Sequence, residues 1–420
     1  MNRRQFFTAA TAAGLAGMAR AQRQQQDPPA IPESIRKLKP MTEGIHPISG
    51  NERQARVEKA RRLMREHKIG AMVLEGGASL FYYTGTRWPQ SERTFAWVLP
   101  ASGEPAWIVP EADQDRAHAA IHLGTDIRSW TESEGSFQKL SQVLKERGAA
   151  SGSVGIEERV RFAVFDGLRK ELPAAEFTSG DPVTVGCRVI KSPAEIALMQ
   201  RANDITIAAY QAAFSTLHEG MGQRELSANI AAAYAVLGAQ GNAMVIFGKY
   251  TAFPHGSIQP QTLHEGDMVL VDDGCSVEGY QSDITRTTVF GKPTARQREV
   301  WNLERKAQDA ALAAARPGAT CESVDAAARK VITDHGFGPG YKVPGLPHRT
   351  GHGIGLEGHE WTYLVKGNQT RLEPGMCFSN EPTIAIYGEF GVRLEDCMYI
   401  TPEGAKMFTR QSPAIDQPFG

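Results

Sequence analysis

Hydrophobic and polar positions alternate with two different periods in the first half of the chain. Residues 52–68 have apolar positions at helical spacing with charged residues between them. Short apolar runs at 71–74, 94–99 and 106–109 predict β-strands. Helix and strand then alternate to about residue 182, which is typical of an α/β domain.

Helical spacing also predicts the longer elements of the second half. One helix begins at Pro193, because the fixed φ of proline suits a first helical turn and Ser192 is a good N-cap. It runs past Tyr210 towards Leu217. Three further helices are predicted at 224–237, 295–315 and 321–335.

The first of two predicted β-hairpins contains a pair of aspartates. An apolar strand ends at Asp272, and a turn centred between Val277 and Glu278 would place it directly opposite Asp283. A solvated hairpin face is the simpler interpretation. However, a carboxylate that ends an apolar run is costly to bury unless it binds a partner or stays protonated. Asp273 is the close competitor of Asp272 as the functional residue.

The second predicted hairpin contains a pair of glutamates. A turn centred on Gly388 would place Glu381 opposite Glu395, whereas the adjacent Asp396 is expected to serve the structure. Directly opposed side chains have Cβ atoms about 4.5–5.5 Å apart, so like charges there repel each other. Two such pairs favour a bound cation.

The segment between the hairpins supplies imidazole nitrogen. His352 lies between glycines, which let backbone and ligands approach closely, and His348 precedes it. His359 lies seven residues further on and is better explained as a substrate contact than as a ligand. His255 lies on a turn and, taken alone, is structural as often as functional. Carboxylates and imidazole together suit two divalent metal ions that clamp a water and a scissile bond.

These motifs resemble the pita-bread metallopeptidases: Xaa-Pro dipeptidase (prolidase), aminopeptidase P, methionine aminopeptidase and the metal-free relative creatinase. The matching pieces occur in family order over roughly residues 50–410, from Arg-Val-Ile-Lys-Ser-Pro at Arg188, through Pro-His-Gly, Asp-x-Gly and His-Gly-Ile-Gly-Leu, to Glu-Pro and Val-Arg-x-Glu-Asp. The resemblance implies an α/β (α+β) fold. It places a small creatinase-like N-terminal domain at 49–183 and a pita-bread catalytic domain with a curved antiparallel sheet at 184–415.

The same resemblance implies the site residues. The five metal ligands would be Asp272, Asp283, His352, Glu381 and Glu395. All five positions carry ligand-type side chains, unlike those of relatives that lost their metals. The histidines flanking the substrate would be His255, His348 and His359, with the first two bordering the pocket for the proline-like residue. One departure is Ala385, where many relatives carry a tyrosine; the nearby Tyr387 is offset by two.

The expected cofactor is a pair of divalent metal ions. We expect Asp283 and Glu395 to bridge two ions roughly 3.5–4 Å apart. Asp272 would complete one ligand shell, and His352 with Glu381 the other. Ligation rich in carboxylate favours manganese or cobalt, with zinc as an alternative. A metal-bridging hydroxide would attack the peptide carbonyl.

Three further roles are expected of the side chains around the metals. Glu381 would take the proton of the attacking water and pass it on. His359 would polarise the carbonyl oxygen as charge builds there. Arg393 would orient Glu395 or Asp396, or meet a substrate carboxylate, and the sequence leaves these roles open.

The expected function is an Xaa-Pro dipeptidase that acts, as a homodimer, on small peptides with proline in the second position. One alternative is aminopeptidase P, which releases the N-terminal residue of longer Xaa-Pro peptides. Another is a non-catalytic binding protein with a pita-bread fold, against which the intact ligand set argues. The length of the substrate depends on how the N-terminal domain and loops close the cleft, which the sequence leaves open.

Composition excludes several classes, and the N-terminus adds a localisation. The 46 lysines and arginines nearly balance 47 aspartates and glutamates, so no basic field points to nucleic acid. Five scattered cysteines argue against a disulfide framework or a zinc ribbon. Arg3 and Arg4, a following apolar run and an Ala-x-Ala site predict a twin-arginine signal peptide at 1–21, followed by a linker at 22–48. We therefore expect a periplasmic or otherwise exported protein without a membrane span.

Overall fold

The structure is a computed structural model that describes residues 31–419. The predicted signal peptide at 1–21 and residues 22–30 of the predicted linker lie outside the described part. Within that part, no helix is both long and apolar enough to cross a membrane.

The first half of the described chain forms an α/β domain around a mixed sheet. Its strands are β1 (Ala71–Glu75), β2 (Ala96–Pro100), β3 (Ala106–Pro110), β4 (Asp126–Trp130), β5 (Ser153–Ile156) and β6 (Glu176–Ser179). Its helices, with the short helix that precedes the domain, are α1 (Glu33–Arg36), α2 (Gly50–Glu66), α3 (Ala78–Thr84), α4 (Gln114–Ala120), α5 (Ser136–Glu146), α6 (Phe162–Glu171) and α7 (Asp181–Arg188).

The order of strands in this sheet is β4-β3-β2-β1-β5-β6. The central strands β1, β2 and β3 pair antiparallel, whereas β4, β5 and β6 join in parallel pairs. Every residue of β1, β2 and β3 is buried, because packed elements cover both faces of the sheet. The predicted helix at 52–68 and the three predicted strands are confirmed as α2, β1, β2 and β3.

The second half contains two helix pairs, each followed by antiparallel strands. The helices are α8 (Pro193–Phe214), α9 (Gln223–Leu237), α10 (Ala295–Ala314) and α11 (Cys321–Asp334). The strands of the first set are β7 (Gln240–Gly241), β8 (Met244–Phe247), β9 (Met268–Asp272), β10 (Cys275–Val277), β11 (Tyr280–Gln281) and β12 (Arg286–Val289). Those of the second set are β13 (Gly351–Gly353), β14 (Glu360–Leu364), β15 (Cys377–Asn380), β16 (Thr383–Ile386), β17 (Phe390–Arg393), β18 (Asp396–Thr401) and β19 (Gly404–Met407).

These strands form antiparallel sheets in the orders β11-β10-β7, β12-β9-β8, β14-β13-β15-β18-β19 and β16-β17. Helix α8 packs on α9, and α10 packs on α11. The predicted combination of an α/β N-terminal domain and a second domain with antiparallel sheets is therefore confirmed. The start of α8 is also confirmed, since the Ser192 hydroxyl accepts a hydrogen bond from the backbone N–H of Glu195 (3.3 Å).

The turn of the first hairpin lies one residue beyond its predicted centre. Val277 pairs with Tyr280, so the two turn residues are Glu278 and Gly279. Both have positive φ, 50° and 91°. A two-residue turn of this kind matches the right-handed twist of the flanking strands, and glycine adopts its second position without strain.

This turn shifts the strand register by two residues and corrects the predicted pairing. Val271 pairs with Arg286, so Thr285 rather than Asp283 continues the register opposite Asp272. The prediction that the two aspartates oppose each other directly is wrong. Because side chains alternate with a period of two, a shift of two residues keeps them on the same face.

The second hairpin has the predicted register. Strands β16 and β17 pair about Gly388, and β15 with β18 continues the same register. Glu381 joins β15 to β16, and Glu395 joins β17 to β18, so the two glutamates lie opposite each other. The predicted pairing of these carboxylates is confirmed.

Part of the predicted linker packs on the second domain. Ile35 in α1 is fully buried, and the hydroxyl of Ser34 donates to the carbonyl of Ala212 in α8 (3.0 Å). The backbone N–H of Met41 donates to the carbonyl of Leu237 at the end of α9 (2.9 Å). This segment therefore packs on the second domain, although it precedes the first domain in the sequence.

A buried polar cluster fixes the first domain to the strands near the site. Arg56 of α2 is 5% exposed and forms an ion pair with Glu195 of α8 at 3.4 Å. Its Nη2 atom also donates to the hydroxyl of Tyr280 in β11 (3.2 Å), which in turn donates to Glu195 (2.8 Å). These bonds join three elements from both domains.

Candidate active site

All nine residues predicted for the site line one cavity of about 700 Å³ in the second domain. They are Asp272, Asp283, His352, Glu381, Glu395, His255, His348, His359 and Arg393. Four apolar side chains complete much of the remaining wall, namely Met244, Pro254, Pro347 and Val365. The sequence therefore predicted which side chains the fold brings together.

The carboxylates and one histidine form two overlapping groups. Ligand atoms of Asp272, Asp283 and Glu395 lie within 4.8 Å of one another. Those of His352, Glu381 and Glu395 satisfy the same limit. Because Glu395 belongs to both groups, two cations held by them would share it.

His359 lies against the same cluster. Its ring centroid is 3.9 Å from that of His352, and one of its nitrogens is within 4.8 Å of ligand atoms of His352 and Asp283. Burial and then the charge of His352 lower the pKa of His359 to about 4. The imidazole is therefore neutral at neutral pH, with one N–H donor and one acceptor nitrogen.

The buried carboxylates have too few partners within the protein. Glu395 is 1% exposed, and its Oε1 atom has no hydrogen-bond partner in the described structure. Burial, followed by the charges of Asp283 and Glu381, raises the pKa of Glu395 well above its usual range. Burial and the charge of Asp272 do the same to the pKa of Asp283. Oxygen-rich donors with an unpaired buried oxygen fit divalent cations, which would supply the missing positive charge.

Arg393 makes a contact that none of its expected roles included. It forms an ion pair with Asp272, and its Nε atom donates to the hydroxyl of Thr285 (3.1 Å). Its Nη1 atom donates to the carbonyl of Pro254 (3.0 Å). The guanidinium therefore orients Asp272, rather than Glu395 or Asp396.

His352 and Glu381 position each other. The Nε2 atom of His352 lies 3.1 Å from Oε1 of Glu381, while its Nδ1 atom faces the carbonyl of Gly353 at 3.1 Å. The hydroxyl of Ser379 donates to Glu381 (3.2 Å) and accepts from the backbone N–H of His352 (3.0 Å). Burial alone would raise the pKa of Glu381, but the hydrogen bond and charge of His352 bring it to about 2. Glu381 is therefore ionised and can accept a proton.

The two remaining histidines form walls of the cavity. His348 has both ring nitrogens near partners, with Nδ1 2.7 Å from the carbonyl of Arg349 and Nε2 3.0 Å from the hydroxyl of Thr383. Burial lowers the pKa of His348, so the ring is neutral. His255 is exposed at the rim.

Sequence reasoning missed Thr285, which connects the two hairpins. Its hydroxyl lies 2.7 Å from Oδ1 of Asp272 and 2.7 Å from Oε2 of Glu395. Thr285 is fully buried and stands two residues after Asp283, on the same strand face. The period of two was the signal that could have identified it.

A second buried polar cluster, also missed, lies behind the glutamate hairpin. The side-chain amide of Gln308 in α10 donates to Asp396 (3.0 Å), and that of Asn380 donates to the carbonyl of Gln308 (3.0 Å). Asp396 also forms an ion pair with Arg286 at 2.7 Å. All four residues are fully buried. Asn380 and Asp396 are the chain neighbours of Glu381 and Glu395, so the cluster fixes the backbone that carries both.

No neighbouring residue replaces the tyrosine that many relatives carry at the position of Ala385. Ala385 is fully buried in β16. Tyr387 is 53% exposed and stacks on Phe253 with ring centroids 5.1 Å apart, and it does not line the cavity. Neither position supplies a hydroxyl to the site.

The fold and the clustered carboxylates and histidines together define a metallopeptidase of the pita-bread class. The family model for the Creatinase/Prolidase N-terminal domain matches residues 56–190, and the model for Metallopeptidase family M24 matches residues 197–402. The chain belongs to metallopeptidase family M24. It is an enzyme of a family that uses divalent metal ions, which sets the non-catalytic alternative aside.

Relatives and solved structures support this membership over nearly their whole length. The chain is 32% identical to the Xaa-Pro dipeptidase of Lactobacillus delbrueckii subsp. lactis over 365 residues, covering 86% of this chain and 98% of that protein. It resembles the crystal structure of dipeptidase PepE from Mycobacterium ulcerans with a TM-score of 0.79 and 30% identity, covering 87% and 97% of the two chains. It also resembles prolidase from Thermococcus sibiricus, with a TM-score of 0.78, 28% identity, and 85% and 96% coverage.

Proposed function

We propose that this metallopeptidase is an Xaa-Pro dipeptidase that holds two divalent cations. The observation that carries the proposal is the overlap of two ligand groups in one cavity, with Glu395 common to both. The names of its relatives, an Xaa-Pro dipeptidase and a prolidase, support the choice of substrate.

The five predicted ligands would hold the cations in two connected sets. Glu395 would serve both cations, Asp272 one of them, and His352 with Glu381 the other. Asp283 shares one group with Asp272 and another with His352, so it is the proposed second shared ligand. Carboxylate-rich ligation favours manganese or cobalt, with zinc as the alternative. When bound, the cations supply Lewis-acid activation of a water molecule and of the scissile carbonyl.

Glu381 and His359 would move and hold the protons of the reaction. Glu381 is ionised beside His352, so its carboxylate accepts the proton of the attacking water and passes it to the leaving nitrogen. The Nδ1 atom of His359 faces Nη2 of Arg349 at 3.4 Å, which leaves the proton of the neutral ring on Nε2. That N–H would donate to the carbonyl oxygen as negative charge develops on it.

The walls of the cavity suit a proline ring. His348 is held in a fixed orientation by Arg349 and Thr383, so it offers its ring face rather than a free nitrogen. Pro254 and Pro347 add apolar surface, and His255 lies at the rim. The amide nitrogen of an Xaa-Pro bond carries no hydrogen, so the substrate would leave no donor without a partner against these walls.

A panel of Xaa-Pro, Xaa-Pro-Xaa and Xaa-Ala peptides tests the proposal. With manganese added, we expect hydrolysis of the Xaa-Pro dipeptide, little hydrolysis of Xaa-Ala, and loss of activity on chelation with recovery on adding manganese or cobalt. Full activity in protein shown to be metal-free by elemental analysis would refute the metal assignment. A much larger kcat/KM for the extended peptide would favour aminopeptidase P.

We also propose that the protein is exported and that it forms a homodimer. The Arg3–Arg4 pair and the Ala-x-Ala pattern support export by the twin-arginine route, with a mature N-terminus near Gln22. Replacing both arginines by lysine should leave the precursor in the cytoplasm, as fractionation would show. Normal export of that variant would reject the route while leaving the enzyme assignment intact.

A further inference from the structure

The cavity contains two arginines whose bonding differs. Arg393 uses its donors on the carboxylate of Asp272, the hydroxyl of Thr285 and the carbonyl of Pro254. Arg349 has no carboxylate within 4.0 Å among the described residues. Arg349 therefore lines the cavity with a positive charge that no ion pair within the described structure offsets.

The guanidinium of Arg349 is nevertheless held in place. Its Cζ atom lies 4.3 Å from the centroid of the Tyr363 ring. Tyr363 pairs with His352 across β13 and β14, so the aromatic ring is fixed to the strand of a predicted metal ligand. Packing against an aromatic ring restricts the guanidinium and leaves N–H donors at its edge for a ligand.

Arg349 lies close to the predicted metal ligands, with one histidine ring between them. Its Nη2 atom is 3.4 Å from Nδ1 of His359, and the His359 ring is 3.9 Å from the ring of His352. The guanidinium thus lies one imidazole ring away from the catalytic cluster. In an Xaa-Pro dipeptide, the terminal carboxylate belongs to the residue that directly follows the scissile bond.

We infer that Arg349 binds the C-terminal carboxylate of the substrate and thereby selects dipeptides over longer peptides. This inference rests on the proposed function and names the residue that would determine the length of the substrate. A guanidinium edge forms two charge-assisted hydrogen bonds with a carboxylate. A longer peptide would place a neutral amide there and lose both the charge and the second acceptor oxygen.

The wild-type enzyme provides the first test. An Xaa-Pro dipeptide and its C-terminal amide differ only in the group that Arg349 would bind. We expect kcat/KM to be about 10- to 100-fold higher for the free acid, mainly through KM. Equal kcat/KM values for acid and amide would overturn the inference.

An Arg349→Gln variant completes a cycle with the same two substrates. We expect it to lose about 10- to 100-fold more in kcat/KM on the free acid than on the amide, because a changed proton position on His359 would slow both substrates alike. Arg349→Lys should recover part of the loss, because it restores the charge without the paired donors. Arg65→Gln, at an exposed position of α2, is the matched control and should change neither rate. An equal loss on acid and amide would assign Arg349 a structural role instead.

The outcomes separate this inference from the proposed function. If the wild-type enzyme cleaves no Xaa-Pro peptide, the proposed function fails. If it cleaves acid and amide equally well, the function stands and the carboxylate subsite fails. Should Arg349→Gln not fold, inhibition of the wild-type enzyme by proline and by prolinamide decides, since the subsite requires proline to bind about 10-fold or more tightly.

Discussion

The two hairpins that supply the carboxylates are built in different ways. In the first, the ladder between β9 and β12 ends at Val271, and pairing resumes only between β10 and β11. Asp272 and Asp283 lie where the ladder is interrupted, next to Asp273 with a φ of 96°. In the second hairpin, one register runs from β15 and β18 through β16 and β17, with Glu381 and Glu395 opposite each other.

The difference follows the length of the side chains. An aspartate is one methylene shorter than a glutamate, so its backbone has to come closer to a shared ligand. In the first hairpin the irregular backbone provides that approach, and Arg393 and Thr285 hold Asp272 in place. In the second, Glu381 and Glu395 lie in a shorter break between two ladders, and the buried cluster around Gln308 supports it from behind. Two hairpins with different backbones thus contribute to one cluster of carboxylates.

The largest effect is expected at the second hairpin. Glu381→Ala removes both a predicted ligand and the proposed proton acceptor, so kcat should fall by about 10²–10⁴-fold or more. Steady-state kinetics with saturating manganese measures this. The control is Glu389→Ala, at an exposed position in the turn of the same hairpin, which should keep kcat within about twofold. Comparable losses in both variants would show that the hairpin, rather than the carboxylate, matters.

The contrast between the hairpins also explains what the sequence could predict. Apolar spacing and glycine turns identified both hairpins, and the regular pairing about Gly388 gave the correct register. The first register was off by two because the turn requires positive φ at Glu278 and Gly279, which the alternation of apolar residues does not encode. Both aspartates still line the same cavity, because a shift of two residues preserves the face of the strand.

Contacts between distant segments were not predictable from spacing alone. Arg393 was expected to orient Glu395 or Asp396 or to meet a substrate carboxylate, yet it pairs with Asp272, which lies more than a hundred residues earlier. Gln308 stands in a helix with no motif around it, and its role appears only when α10 packs against the second hairpin. Such partners depend on tertiary packing, which local patterns do not specify.

The connection between the hairpins can be broken at Thr285. Thr285→Val keeps the shape of the side chain but removes the hydroxyl that lies 2.7 Å from both Asp272 and Glu395. Residues that orient metal ligands typically contribute 10- to 100-fold in metal affinity, so we expect manganese affinity to fall by about that factor. Titration of apo-protein with manganese measures it. Thr285→Ser should restore affinity, and a Val variant with unchanged affinity would deny the hydroxyl any orienting role.

The support behind the second hairpin is tested at Gln308. Gln308→Leu leaves Asp396 without one of its buried donors, so the free energy of unfolding should fall by about 1–3 kcal/mol. Denaturant unfolding of apo-protein measures the loss. Asn302→Leu, at an exposed position of the same helix, is the matched control and should change stability by less than about 0.5 kcal/mol. If both variants lose the same amount, the cluster contributes nothing beyond helix propensity.

The smallest expected effect compares the glycines in the two turns. Gly279 and Gly388 have nearly the same φ, 91° and 90°, so alanine at either position carries a similar backbone strain of about 1–2 kcal/mol. A Cβ at Gly279 would lie 3.0 Å from the guanidinium of Arg87 and 3.1 Å from the ring of Phe81, whereas one at Gly388 would meet nothing within 4 Å. Gly388→Ala should therefore show the strain alone, and Gly279→Ala an added loss of up to about 1 kcal/mol from contact with the first domain. Denaturant unfolding of both variants measures the difference, and equal losses would mean that the first hairpin, like the second, has room at its turn.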